Sequence, residues 1–271
     1  MLEAEQDVNI WSNLVKNKKV ALIGPANYLQ KFSQEFKDEN LNRINDCDTI
    51  IRLNCIFNIL EEYKHLLGSR TEIMYNSLLD NCNNGGVLEV DKIVNNNIKH
   101  IRTTPKSSVK GIANSNLRNF QHKTNEKLIN LESNHNITVS TFDHRPFSRL
   151  AQAIDCRPTT GFAAIFDILL TEPKNLYVTG FSFFLSAPLQ GYWGASKKGG
   201  IEEVFGRTEE EEALRGFNST RHVHKNMWEL LKNNKKVFTN LYFDQFLQEI
   251  INLEDYSKGR YNKILEEQLK K

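Results

Sequence analysis

Residues 19–24 read Lys-Val-Ala-Leu-Ile-Gly, a short apolar run that ends in glycine, and an amphipathic stretch from Tyr28 to Glu39 follows at once. A short apolar run bounded by glycine is typical of a buried strand, and apolar residues at helical spacing are typical of a surface helix. This part of the chain therefore predicts a strand, a tight turn and a helix.

Similar apolar runs recur along the chain, with helix-length segments between them. Strands that alternate with helices need crossover connections, so the sequence predicts an α/β fold with a doubly wound, mainly parallel, Rossmann-like sheet. Ligands bind such sheets beyond the carboxyl ends of the strands, where the winding reverses, which directs attention to the turns at Gly24 to Asn27 and from Phe181 onward. The further predicted strands are Thr49 to Leu53, Glu72 to Tyr75, Lys99 to Arg102, Thr138 to Thr141, Leu176 to Val178 and Val237 to Thr239.

The rhythm of strands and helices predicts one nucleotide-binding domain over residues 1–255 and a helical tail over residues 256–271. The glycine-rich segment of about residues 185–220 is too long for a plain connector, and we interpret it as a lid over the site, with a solvated insertion as the alternative. The lysine-rich tail fits a solvated helix, which we favour, or a weak attachment to an anionic membrane surface.

Composition limits the classes of function. The 271 residues are 39% hydrophobic and 25% charged, as expected for a folded protein, and the 35 basic and 33 acidic side chains leave a net charge of +2, which argues against nucleic acid as a partner. The cysteines Cys47, Cys55, Cys82 and Cys156 lack metal-ligand spacing, so we expect reduced thiols and no metal. Without an apolar stretch long enough for a signal peptide or a transmembrane segment, we expect a cytoplasmic location.

Two segments contain residues that suit chemistry. Arg157 to Gly161 precedes an apolar stretch of helix length, so Thr159 and Thr160 lie at a helix start, where exposed amides and the helix dipole favour a phosphate or a carboxylate. An ordinary helix cap is the alternative.

His224 lies near the start of the next predicted helix, a position that lowers its basicity and leaves the neutral imidazole that a general base requires. Glu229, five residues later, is a candidate to orient the helix or its histidine. The alternative is that both histidines are ordinary surface residues. Two histidines in a His-x-His pattern make a weak case for metal, and the chain contains no P-loop, dinucleotide or α/β-hydrolase motif.

Taken together, these segments resemble the sialyltransferases, through three ordered motifs. Residues 19–29 followed by Asp48 to Asn54, which end in Arg-x-Asn, resemble the long motif. Arg157 to Gly161 with Leu176 to Phe181 resemble the short motif, and His224 to Glu229 fit the very short His-x-x-x-x-Glu motif. The strand end Gly-Phe-Ser-Phe and the tyrosine soon after it are also similar to the bacterial sialyltransferases of lipo-oligosaccharide synthesis.

The resemblance implies a role for each matching residue. His224 is the catalytic base, assisted by Glu229, and Tyr192 of the lid hydrogen-bonds the departing phosphate or, alternatively, only anchors the lid. The chain departs from the family at Pro25, where asparagine is usual, and at Ala21, where the eukaryotic-type members have the disulfide partner of Cys156. The donor-binding residues implied are Gly24, Asn27, Asn54, Thr159, Thr160, Gly161 and Gly180.

The implied activity is an inverting, metal-independent transfer of sialic acid from CMP-sialic acid to a hydroxyl of a glycan, with a galactose-terminated acceptor expected, on the GT-A-variant fold of this family. No cofactor is implied besides the donor substrate. Two alternatives stay open. One is a CMP-Kdo transferase, and the other is a protein of the same fold that binds a nucleotide or a glycan without catalysis.

Overall fold

A computed structural model of the chain describes residues 10–78, 86–105, 115–186, 189–190, 192, 208 and 220–269. Its centre is an all-parallel sheet of seven strands. In chain order the strands are β1 (Lys19–Ile23), β2 (Thr49–Leu53), β3 (Ile73–Asn76), β4 (His100–Thr103), β5 (Thr138–Thr141), β6 (Asn175–Thr179) and β7 (Leu241–Phe243). Across the sheet their order is β5-β4-β3-β2-β1-β6-β7, so the direction of winding reverses between β1 and β6.

The predicted strands are confirmed within a residue or two, except the last. The prediction of a strand at Val237 to Thr239 is wrong, because the chain makes two turns there, closed by bonds from the amide of Val237 to the carbonyl of Asn234 and from that of Leu241 to that of Phe238. Val237 is 71% exposed, and pairing with β6 begins only at Leu241. A strand is present in this part of the chain, but it begins four residues later than the apolar pattern predicts.

Helices cover both faces of the sheet, since every residue of β2, β3 and β4 is buried. The doubly wound α/β prediction is therefore confirmed. Besides helical residues 10–15 and a 3-10 turn at Ile56–Ile59, the helices are α1 (Tyr28–Lys31), α2 (Gln34–Asn45), α3 (Leu60–Leu67), α4 (Val90–Asn95), α5 (Ser115–His135), α6 (His144–Ala153), α7 (Thr160–Leu170), α8 (Thr220–Asn234), α9 (Gln245–Ile251) and α10 (Lys258–Leu269).

The amphipathic stretch after β1 forms two helices instead of one. The chain leaves the helical path at Phe32, and the Ser33 hydroxyl then accepts a hydrogen bond from the amide of Phe36 at 3.3 Å, which caps α2. The break leaves α1 as a single turn directly after the turn that follows β1.

The C-terminal segment packs against the domain instead of extending into solvent. Tyr256 and Tyr261 are 5% and 3% exposed and belong to the same hydrophobic core as Trp11 of the N-terminal helical residues. The ring of Tyr261 lies 5.9 Å from that of Phe246 in α9. Residues after 255 therefore share the main core through one face, while most of the described side chains of α10 are exposed. In the described part of the chain no helix has the length and apolarity to span a bilayer.

Only the beginning of the predicted lid is described. Leu185, Leu189 and Tyr192 are each 5% exposed or less, and the Leu189 amide donates to the carbonyl of Pro25 in the turn after β1. This first part is anchored to the turn after β1. Apart from Thr208, residues 193–219 lie outside the described residues.

Candidate functional site

The turns after β1 and β6 meet at the point where the winding reverses. Gly24 donates its amide to the carbonyl of Thr179 at 2.8 Å, and Ala26 donates to the carbonyl of Gly180 at 2.9 Å. A Cβ at Gly24 would lie 2.4 Å from the Gly180 oxygen, and one at Gly180, where φ is +73°, would lie 2.2 Å from the Gly24 oxygen. Both residues must therefore be glycine so that the two turns can touch.

A buried pair behind this contact holds the second turn. The Tyr28 hydroxyl donates to an Asp244 carboxylate oxygen at 2.5 Å, and the Gly180 amide donates to the Tyr28 oxygen at 2.9 Å. Asp244 also caps α9 by accepting the Leu247 amide at 2.8 Å. The amides of Gly24 and Gly180 are thus both bonded within the protein, and neither is left for a bound phosphate.

Phe181 fills the crevice between the first turn and α7. A Cβ at Gly24 would come within 2.8 Å of its ring, and a Cβ at Gly161 would come within 2.7 Å of the same ring. The missing side chains at Gly24 and Gly161 make room for an aromatic side chain of the protein itself. A ligand that approaches the backbone at Gly161 must first move this ring.

Two predicted site residues from distant parts of the chain are in direct contact. Asn54, which follows β2, donates from Nδ2 to the Tyr192 hydroxyl at 2.8 Å. Its Oδ1 accepts the amide of Ser77, which follows β3, at 3.2 Å. Burial raises the pKa of the Tyr192 hydroxyl, and the bond from Asn54 opposes that rise only in part. The Tyr192 hydroxyl therefore keeps its proton at physiological pH.

Unsatisfied polar atoms also lie at this edge of the sheet. Asn27 precedes α1 without capping it, and its Oδ1 is buried without a hydrogen-bond partner within the described residues. The Ser77 hydroxyl has the same status. A buried polar atom without a partner costs about 1–3 kcal/mol, so each is a candidate contact for a ligand.

The Arg-x-Asn pattern of β2 has a structural arginine. Arg52 is fully buried, and its guanidinium donates to the carbonyls of Leu67 and Gly68 at the end of α3 and to the Thr71 hydroxyl. It satisfies carbonyls that the helix leaves without partners. In the Arg-x-Asn pattern, only Asn54 is bonded to Tyr192.

The turn before α7 caps the helix as the sequence predicts. Thr159 accepts the amide of Phe162 on its side chain at 3.4 Å. The amides of Thr160 and Gly161 have no partner inside the helix, and neither donates to another group in the part of the chain that the structure describes. Two backbone donors and the positive end of the helix dipole are therefore left at this edge.

Helix α8, which carries the predicted base His224, contacts the turn before α7. The Thr159 hydroxyl contacts the sulfur of Met227 at 3.6 Å, and Asn226 donates to the carbonyl of Ile154 at 2.8 Å. Met227 is three residues from His224, on the same side of the helix. The turn before α7 therefore contacts α8 one turn beyond His224.

His224 is buried in an apolar setting. It is 5% exposed, and its ring stacks on that of Phe184 with centroids 4.2 Å apart and planes inclined by 26°. Burial lowers the pKa of the imidazole to about 3. The helix begins at Thr220, so His224 lies in its second turn, and the cause of the low basicity is burial and not the helix terminus that the sequence suggested.

Glu229 does not contact this histidine. Five residues correspond to about 140° around a helix, so the two side chains leave α8 in different directions. The Glu229 carboxylate lies 3.7 Å from the Lys225 ammonium, and both side chains are about half exposed. The structure gives Glu229 an ion pair on the surface of the helix.

The stack on His224 depends on an unusual turn. Phe183 and Phe184 have φ of +49° and +62°, and the Leu185 amide closes the turn on the Ser182 carbonyl at 2.9 Å. A left-handed conformation costs a residue with a side chain about 1–2 kcal/mol. Sequence reasoning missed Phe184, because nothing in a run of two phenylalanines signals this conformation.

Sequence reasoning also missed a buried polar network beneath α7. Asp167 accepts two hydrogen bonds from Arg102, at 2.8 and 3.0 Å, and a third from the Tyr75 hydroxyl at 3.0 Å. Arg102 also donates to the Ser140 hydroxyl, which contacts Nε2 of His100 at 2.8 Å. The network lies below the carboxyl edge, and every side chain named here has a partner.

Within the described residues there is no group of three or more histidine, cysteine, aspartate or glutamate side chains that could hold a metal ion. Cys47, Cys55 and Cys156 form no disulfide with one another, and Cys82 lies outside the described residues. No family model matches the chain, and no curated protein matches it. The site must therefore be interpreted from its own geometry.

Proposed function

We propose that this chain is an inverting glycosyltransferase that moves sialic acid from CMP-sialic acid to a hydroxyl of a glycan, with galactose-terminated glycans as acceptors. The observation that carries the proposal is the hydrogen bond between Asn54 and Tyr192, two residues 138 positions apart that the motifs singled out separately. The contact of Met227 with Thr159 supports the proposal as well, because it joins the Thr159 turn to the helix that carries His224.

The proposed donor lies at the reversal point, with its anionic groups at the start of α7. The amides of Thr160 and Gly161 supply two donors there, and the helix dipole favours negative charge. Asn27 supplies an acceptor for an amino or hydroxyl group of the nucleotide through its unsatisfied Oδ1. Donor entry requires the Phe181 ring to leave the crevice between Gly24 and Gly161.

In the proposed reaction the acceptor oxygen attacks the anomeric carbon while the bond from that carbon to the phosphate oxygen breaks. The electron pair of the breaking bond stays on CMP, and the proton of the acceptor hydroxyl goes to His224. Tyr192, fixed by Asn54, donates a hydrogen bond to the phosphate as its charge grows. Donors held in place before the reaction stabilise such charge at little cost in reorganisation.

Basicity at His224 depends on the ligand. An imidazole with a pKa of about 3 is neutral at pH 7, which is the form that accepts a proton, but it is a weak base. A bound anionic donor favours the protonated form and raises the pKa. We therefore expect His224 to become an effective base only when the donor is bound.

The test is the release of CMP from CMP-N-acetylneuraminate with and without a galactose-terminated acceptor. We expect acceptor-dependent release that falls about a hundred- to ten-thousandfold in His224→Gln, with an unchanged melting curve. His65→Gln, at an exposed histidine of α3, is the matched control and should keep full activity. A folded, fully active His224→Gln variant would contradict the role of His224 as the base. Activity with CMP-Kdo alone would identify CMP-Kdo, and not CMP-sialic acid, as the donor substrate.

A second candidate function is binding without catalysis. The Phe181 ring in the crevice and the burial of His224 favour it, because both must change before a reaction can take place. Pro25, in the place where the resembling enzymes have asparagine, points in the same direction. Tight CMP binding by calorimetry, without transfer from either donor to any acceptor, would support this function over the first.

A further inference from the structure

His224 has an unusual environment for a proposed base. Catalytic histidines are ordinarily oriented by a hydrogen bond from the second ring nitrogen to a carboxylate or a carbonyl. Within the described residues no hydrogen bond to the His224 ring is found, and its ring contact is the stack on Phe184 at 4.2 Å. The plane of the imidazole is therefore set by an aromatic ring.

The position of that ring depends on the turn of Phe183 and Phe184. Both residues are in the left-handed region, which bulky side chains rarely adopt. Such conformations persist only where surrounding contacts hold them. The Ser182 hydroxyl supports the turn from inside by accepting the Ser186 amide at 3.0 Å.

Tyr256, from the C-terminal segment, links the turn to the helix of the histidine. Its hydroxyl donates to the carbonyl of Phe183 at 2.6 Å. Its ring lies 5.9 Å from that of Trp228, which is one turn beyond His224 on α8. One buried side chain thus contacts both the element that carries Phe184 and the element that carries His224.

We propose that Tyr256 is a positioning residue for His224: it holds the Phe183–Phe184 turn and thereby keeps the Phe184 ring against the imidazole. The catalytic part of this inference rests on the proposed function, because it takes His224 as the base. The structural part does not. Burial is the cause of the lowered pKa of His224, and the charged side chains of Lys225 and Glu229 on α8 pair with each other.

The first measurement is the titration of His224 by NMR, with its signals assigned by their loss in His224→Gln. Tyr256→Phe keeps the ring against Trp228 and removes only the hydroxyl. We expect water to reach the imidazole in this variant, so that its pKa rises by about one unit or more toward the ordinary value of about 6.5. Phe184→Leu should produce the same shift, and Tyr242→Phe, at an exposed tyrosine of β7, should produce none.

The second measurement is the pH profile of transfer. We expect Tyr256→Phe to lower kcat about tenfold with little change in KM, and to move the acid limb to higher pH, because a more basic histidine is protonated earlier on acidification. An unchanged His224 pKa in a folded Tyr256→Phe variant would overturn the proposal. A shifted pKa in a protein that transfers no sugar would leave the positioning role intact and would contradict the proposed function instead.

Discussion

His100 and His224 are both buried, and the pKa of each is lowered to about 3, but they lie in regions that are built differently. His100 uses both ring nitrogens, which contact the hydroxyls of Thr138 and Ser140 at 2.6 and 2.8 Å beside Arg102. Within the described residues, hydrogen bonds to the ring of His224 are absent. A saturated network stabilises one conformation, whereas the unsaturated edge of the sheet retains polar atoms that a ligand can use.

The largest expected effect tests whether the network beneath α7 is structural. Arg102→Met leaves the carboxylate of Asp167 buried without its cation, and we expect the free energy of unfolding to fall by about 3–5 kcal/mol. Denaturant unfolding measures it. Lys64→Met removes a pair with Glu61 on the surface of α3 and should change stability by less than about 1 kcal/mol.

Equal losses in the two variants would erase the distinction between the network and an ordinary surface pair. They would also indicate that Asp167 is protonated or hydrated in the folded protein.

A smaller effect is expected from acidification. Both histidines have a lower pKa in the folded protein than the unfolded value of about 6.5, so below pH 6.5 the unfolded chain binds more protons and stability falls as the pH falls toward 3. Each histidine should contribute up to about 1.4 kcal/mol per pH unit in that window. Unfolding by denaturant between pH 4.5 and 7.5 measures the slope.

Glutamine variants separate the two contributions. His100→Gln and His224→Gln should each remove the contribution of one histidine to the pH dependence of the unfolding free energy. At pH 7 only His100→Gln should also cost about 1–3 kcal/mol, because it alone disturbs hydrogen bonds to Thr138 and Ser140. A slope that does not change in His224→Gln would mean that its imidazole is hydrated.

The smallest effect on stability is expected at Asn27. Its Oδ1 has no partner in the described structure, so Asn27→Ala should change the free energy of unfolding by less than about 1 kcal/mol or raise it slightly. Binding of CMP, measured by calorimetry, should weaken by about two- to tenfold if the amide contacts the nucleotide. Unchanged stability together with weaker CMP binding would show that Asn27 contacts the ligand and does not support the fold.

Asn40→Ala is the matched comparison. Asn40 accepts the Tyr177 hydroxyl at 2.7 Å and donates to the carbonyl of Leu66, so its loss should cost about 1–3 kcal/mol without affecting CMP. If Asn27→Ala proves the more destabilising of the two, the edge of the sheet is structural as well.

Much of the fold was predictable because strand signals are local. The apolar runs gave six of the seven strands within a residue or two, and the turns after β1 and β6 flank the reversal point as predicted. The β7 prediction failed at Val237 because several apolar residues there fit a strand equally well, and only pairing with β6 selects Leu241–Phe243. The cap at Thr159 was predictable for the same local reason.

The sequence by itself determined six of the seven strands and that Thr159 caps α7, because these depend on near neighbours. Only the tertiary structure decided that Asn54 meets Tyr192, that Phe181 fills the space above Gly161, and that Tyr256 holds the turn beside His224. Each of these contacts joins residues far apart in the chain. Their geometry follows from how the sheet and its helices pack, which a local pattern of residues does not contain.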